Sequence, residues 1–126
     1  MDFLQTIKTL ENRIQGNPSS LLFARLADLY LKQGRVDEAI PLCEKGVNAK
    51  PSYITGHFVL AKAYLAKGLH EQAESELKKV LAHDRQYLSA HKALGDLLAE
   101  MGWENKAAIH YREILKLDPA NEDSRK

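Results

Sequence analysis

Five histidines and one cysteine are the side chains of this 126-residue sequence best suited to hold a metal or act as a nucleophile. A zinc site draws three or four such ligands together, commonly as pairs two to five residues apart. No pair here has that spacing. His57 and His91 stand one above the other at a separation of 34, each among apolar residues at helical spacing, so both are expected as packed core rings. His70, His83 and His110 fall at a turn, a helix end and a helix face. Cys43 occupies an inward helical position, where a thiol is expected to be buried and inert. A Gly-rich phosphate loop, a nucleophile elbow and a His-Glu-x-x-His helix are all missing. The chain is expected to be no enzyme, with no catalytic residue, metal site or cofactor.

Charge narrows the partners. Lys and Arg number 18 against 17 Asp and Glu, far from the basic surplus that phosphate-backbone binding requires. Nucleic acid is therefore not expected. Nor is a membrane, because no apolar run approaches the 18 or so residues needed to span one. A lone cysteine excludes an internal disulfide and suits a reducing compartment. Met1-Asp2-Phe3-Leu4 lacks the basic start of a secretory signal, so the expected location is cytoplasmic. The alternating Glu and Lys from Glu71 to Lys79 are expected to form a solvated helix surface. Trp103, beside Gly102, fits a turn-packing or a binding role equally.

The elements that position these residues follow from a repeat. Leu26-Ala27-Asp28-Leu29-Tyr30 returns 34 residues later as Leu60-Ala61-Lys62-Ala63-Tyr64, and again as Leu94-Gly95-Asp96-Leu97-Leu98. Gly34, Gly68 and Gly102 keep the same register, as do Ala39, Ala73 and Ala107. A fixed period in this range marks stacked helical pairs. Each unit reads as helix, Gly turn and helix, with Phe23, Leu26, Ala27 and Tyr30 inward on the first helix of repeat one. Ala39, Cys43, Gly46 and Val47 face inward on its second helix, which runs from about Asp37 to Ala49. The small residues Ala27, Ala61 and Gly95 are expected to face Ala39, Ala73 and Ala107, letting paired helices approach closely. Pro41 and Gly46 weaken that second helix, Gly46 by roughly 1 kcal/mol relative to Ala, so it is expected to be the least protected. Ahead of the repeats, Phe3, Leu4, Ile7, Leu10 and Ile14 form one apolar stripe that Gly16-Asn17-Pro18 ends.

The Leu-[Ala/Gly]-x-x-[Tyr/Leu]…Gly…Ala…[Cys/Leu/Tyr]…Pro spacing resembles the tetratricopeptide repeat (TPR). The resemblance covers residues 20–121, with His57, His91 and Arg85 standing where that family often has aromatics and a closing Pro. It implies an all-α, right-handed superhelical solenoid of three helix-turn-helix repeats plus an N-terminal helix. The expected organisation is a single domain over 1–126: a capping helix or half-repeat at 2–15, repeats at 20–53, 54–87 and 88–121, and a tail at 122–126. The family's arrays usually close with a polar-faced helix. Here the chain stops just after Pro119, so the expectation is either a piece of a longer protein or another partner for the face near Ile109, Tyr111 and Leu115.

In such proteins the first helix of each repeat lines a concave groove. Carried over by offset, that groove comprises Leu21, Asp28, Leu31 and Lys32 from repeat one. Repeat two adds Thr55, Phe58, Lys62 and Leu65, and repeat three adds Ser89, Lys92, Asp96 and Glu100. Exposed ion pairs are worth about 0–1 kcal/mol, whereas burying a Phe contributes roughly 1.5–3. Phe58, flanked by Leu31 and Leu65, is therefore the expected anchor, with Lys62 and Lys92 setting orientation. The family's clamp for acidic chaperone tails is not expected, since its offsets hold Ala24, Asp28, Val59, Ser89 and Ala93. The resemblance implies a protein-interaction module that takes a peptide or helix of another protein in its groove. The alternative is a self-associating or spacer module, possibly part of a longer protein, such as a homodimer through the C-terminal face.

Overall fold

A computed structural model describes residues 3–18 and 20–120. Asp2, Ser19 and the tail at 122–126 lie outside the described residues, as does Asn121, the expected end of repeat three. The described residues form seven helices and no strand: α1 (Phe3–Gly16), α2 (Phe23–Lys32), α3 (Val36–Ala49), α4 (Ile54–Lys67), α5 (His70–His83), α6 (Leu88–Glu100) and α7 (Glu104–Leu117). This is an all-α fold of helix-turn-helix pairs. None of these helices is long and apolar enough to cross a membrane.

The three turn glycines show why the repeat keeps its register. Gly34, Gly68 and Gly102 take φ of 74°, 82° and 82°, a left-handed conformation that side chains beyond glycine rarely adopt. The next residue then reaches back across the turn. Arg35, Leu69 and Trp103 donate their N–H to the carbonyls of Tyr30, Tyr64 and Leu98 at 2.8, 2.9 and 2.8 Å. That six-residue closure consumes a helix-end carbonyl otherwise left without a donor.

The chain divides into two compact units, residues 1–76 and 77–126. In the first, α1 packs on α2, α2 on α3 and α4, and α3 on α4. Its core is Ile7 and Leu10 of α1, the α2 face of Phe23, Leu26, Ala27 and Tyr30, then Ala39, Cys43, Leu60, Ala61 and Ala73. Each large side chain buried there contributes roughly 1.5–3 kcal/mol. Tyrosines finish the helix pairs: Tyr30 donates its hydroxyl to Glu11 on α1, and Tyr64 donates to Glu44 on α3 at 2.7 Å. In the second unit α6 packs on α7 around Leu94, Leu97, Ala107 and Ile114.

Two packing details differ from the sequence expectation. Gly95 meets a ring: a Cβ there would stand 2.7 Å from Tyr111 Cε1. Gly46, read as a weakness of α3, is a slot. The Phe23 ring lies against it so closely that any Cβ would overlap the ring, and a Cβ at Gly56 would stand 2.6 Å from Phe23 Cζ. The helix also begins at Val36, so Pro41 falls beyond the first turn, on an exposed face.

Candidate functional site

In the first unit α2 and α4 wall a cavity of about 530 Å³. Ser20, Leu21, Leu22, Ala24, Arg25 and Asp28 line one side, with Tyr53, Thr55, Phe58, Val59 and Lys62 on the other. The helices set these residues by their period: Thr55, Phe58 and Lys62 recur at three and four along α4, rotated from the core face of Leu60, Ala61 and Tyr64. Ala24 and Val59 are buried and make an apolar floor; Leu21 is exposed at the rim and Phe58 is half-buried.

Charge in this cavity is organised around Asp28. Lys62 donates to its Oδ1 at 2.6 Å, and Lys32 approaches its Oδ2 at 3.4 Å. Burial alone would raise the Asp28 carboxyl, but the Lys62 hydrogen bond and the charges of both lysines outweigh it and hold the group below the ordinary carboxylate value. The Lys62 ammonium also stands 5.5 Å from the Phe58 ring centroid. One side chain thus ties the acid of α2 to the aromatic of α4.

Of the twelve residues expected in a groove, five line this cavity: Leu21, Asp28, Thr55, Phe58 and Lys62. Leu31 and Leu65 are half-buried and do not line it; the apolar side chains that line it with Phe58 are Leu21, Leu22, Ala24 and Val59. Lys32 lies outside the lining, paired with Asp28. Ser89, Lys92, Asp96 and Glu100 are exposed on α6 of the second unit, where Lys92 pairs with Asp96 at 3.2 Å and Tyr111 donates to Asp96 at 2.7 Å. Ser20, Leu22, Ala24, Arg25, Tyr53 and Val59 are lining residues absent from the groove set expected from sequence. Arg25 carried a signal, since it lies four residues, about one helical turn, beyond Leu21.

Two of the histidines, His57 and His91, are core residues with polar partners. His57 is buried, its Nε2 2.7 Å from the Pro51 carbonyl and its Nδ1 2.9 Å from Glu76 Oε2. His91 repeats this, with Nε2 2.7 Å from the Arg85 carbonyl and Nδ1 3.1 Å from His110 Nδ1. Glu76 therefore departs from the solvated surface expected over Glu71 to Lys79: it is buried. Among the described residues no three His, Cys, Asp or Glu gather in a metal-binding arrangement. Cys43 is fully buried, and burial, with Glu44 nearby, pushes its thiol up to about 12. Trp103 is exposed with the Lys106 ammonium 4.1 Å from its ring centroid.

Similar proteins share this architecture. Human RNA polymerase II-associated protein 3 is 29% identical over 102 residues, 81% of this chain and 15% of that protein. Peptidyl-prolyl cis-trans isomerase PASTICCINO1 of Arabidopsis thaliana is 28% identical over 75 residues, 60% of this chain and 12% of that protein. The chain thus spans about a seventh of the length of these relatives. Among solved structures, the crystal structure of MamA superposes with a TM-score of 0.90 at 21% identity, covering 98% of this chain and 72% of that one. The first TPR of Spaghetti (RPAP3), bound to the HSP90 peptide SRMEEVD, matches with a TM-score of 0.80 at 28% identity, covering 86% of each chain. Two family profiles, both described as tetratricopeptide repeat, match residues 30–97 and 89–121. With more than half of its length matched by the first alone, the chain belongs to the tetratricopeptide repeat family.

Proposed function

We propose that the chain is a non-catalytic interaction module and that the α2–α4 cavity docks a peptide or helix of a partner protein. The observation that carries this is the wall itself: an apolar floor of Ala24 and Val59, with Leu21 and Phe58 above it and hydroxyl and charged groups at the rim. Such a cavity suits one bulky apolar side chain held by a few polar contacts. Leu31, Lys32 and Leu65 extend the proposed surface along the same helices, and Ser89, Lys92, Asp96 and Glu100 are its proposed counterparts on α6. The similar TPR of RPAP3 supports the reading, since that domain is bound to a peptide.

The test uses peptides selected from a displayed random library against the wild-type chain. Phe58→Ala should weaken the selected peptides at least about tenfold, equal to about 1.4 kcal/mol, with little change in melting temperature. A fall in melting temperature with unchanged affinity defeats the reading. Self-association is the second reading, favoured by Met101, Trp103, Ile109 and Leu117, all exposed in the second unit. Light scattering across a concentration series decides it: a constant monomer mass removes it.

A further inference from the structure

We infer that the segment docked by this cavity is internal to its partner and carries an acidic residue beside its apolar anchor. This rests on the groove reading above. Three charged residues line the cavity, Arg25, Asp28 and Lys62. Asp28 and Lys62 satisfy each other at 2.6 Å, and Lys32 adds a second cation to the same carboxylate. Arg25 is exposed and has no hydrogen-bond or ion-pair partner among the described residues. The surplus charge on the wall is therefore positive, and its available fork is a guanidinium, which pairs a carboxylate through two parallel bonds.

The position of Arg25 sets the spacing of the ligand. It shares the α2 side of the cavity with Leu21 and Ala24, and Phe58 lines the α4 side, so an acid that reaches Arg25 enters the same cavity as the side chain covering the apolar floor. A terminal carboxylate demands several donors around one point. The inner positions here are apolar Ala24 and Val59, and Asp28, already held by two lysines, would repel a second acid placed deeper. The arrangement favours one acid at the rim and an apolar residue beneath it, with the chain running on in both directions.

The experiment displays random peptides in two formats, with a free C-terminus and with both ends fused, against wild type, Arg25→Glu and Phe58→Ala. Both formats should enrich the same pattern, an apolar residue with an adjacent Asp or Glu. Arg25→Glu should weaken those peptides about five- to tenfold at low salt, with the gap narrowing as salt is added. Enrichment confined to free C-termini, absence of acidic residues, or equal affinity for Arg25→Glu overturns the inference while leaving the groove in place. Peptides unaffected by Phe58→Ala, or no enrichment in either format, overturn the groove reading and this one together. Arg25 is exposed, and circular dichroism of Arg25→Glu checks that the fold is kept.

Discussion

His57 and Glu76 form a buried pair in which both ring nitrogens face acceptors. A carbonyl can only accept, so Nε2–H donates to the Pro51 carbonyl at 2.7 Å, while Nδ1 lies 2.9 Å from Glu76 Oε2. Removing one member takes away a buried polar partner of the other. Glu76→Leu should therefore cost about 1–3 kcal/mol. In His57→Leu/Glu76→Leu the loss should be smaller than the sum of the single losses by about 1 kcal/mol. Denaturant melts of the four proteins check this, and strictly additive losses would show that the two side chains act separately.

Phe23 supplies a test whose sign is informative. On helix propensity alone, Gly46→Ala stabilises α3 by about 1 kcal/mol. The ring pressed against Gly46 predicts the reverse, because an added methyl overpacks that contact at a cost of typically 1–3 kcal/mol. Gly46→Ala should lower the melting temperature, and Phe23→Leu in that background should recover part of the loss. A stabilised Gly46→Ala would mean that the ring swings aside freely.

The same residues mark what was legible in the sequence. Leu26, Leu60 and Leu94, with the turn glycines and the Ala triplet, locate the helix pairs, because the constraints on them are periodic and lie within one repeat. Gly46 and Glu76 were misread because their partners come from other helices: Phe23 on α2 and His57 on α4. A recurring offset of 19 was the available signal, since His57–Glu76 and His91–His110 share it and Phe23–Leu42 stands in the same register. At the candidate site, Phe58 and Lys62 could be placed by helical spacing. The pairing of Lys62 with Asp28, which leaves Arg25 as the open cation, depends on two helices meeting.

Alkaline pH should act through the tyrosines. Burial and a hydrogen bond to Glu11 push the Tyr30 phenol up to about 12, and burial with the bond to Asp96 does the same for Tyr111. A neutral acid whose native value is raised above its ordinary value of 10.0 contributes stability that is fully present below that value and lost as pH climbs through the native one. Tyr30→Phe should thus be less stable than wild type at neutral pH, with the gap closing between about pH 10 and 12. Stability measured across that range and the ultraviolet absorbance of tyrosinate check it. A gap that persists unchanged at the alkaline end would count against the hydrogen bond to Glu11.

Acid should act on Asp28 in the opposite sense. Its carboxyl is held below the ordinary value of 3.8, because Lys62 and Lys32 favour the ionised form more strongly than burial disfavours it. A depressed native value contributes stability that is present above the unfolded value and lost as pH falls through the native one. The pair is partly exposed, so its contribution is about 0.5–1 kcal/mol. Asp28→Asn should be less stable than wild type by that amount above about pH 5, and the two should converge in strong acid. Because Lys62 also approaches the Phe58 ring, the same substitution frees its ammonium and makes the cavity more positive. Acidic peptides selected on the wild type should then bind Asp28→Asn more tightly at low salt, an outcome opposite in sign to the stability change. Weaker binding together with lower stability would mean that Asp28 shapes the wall rather than tuning its charge.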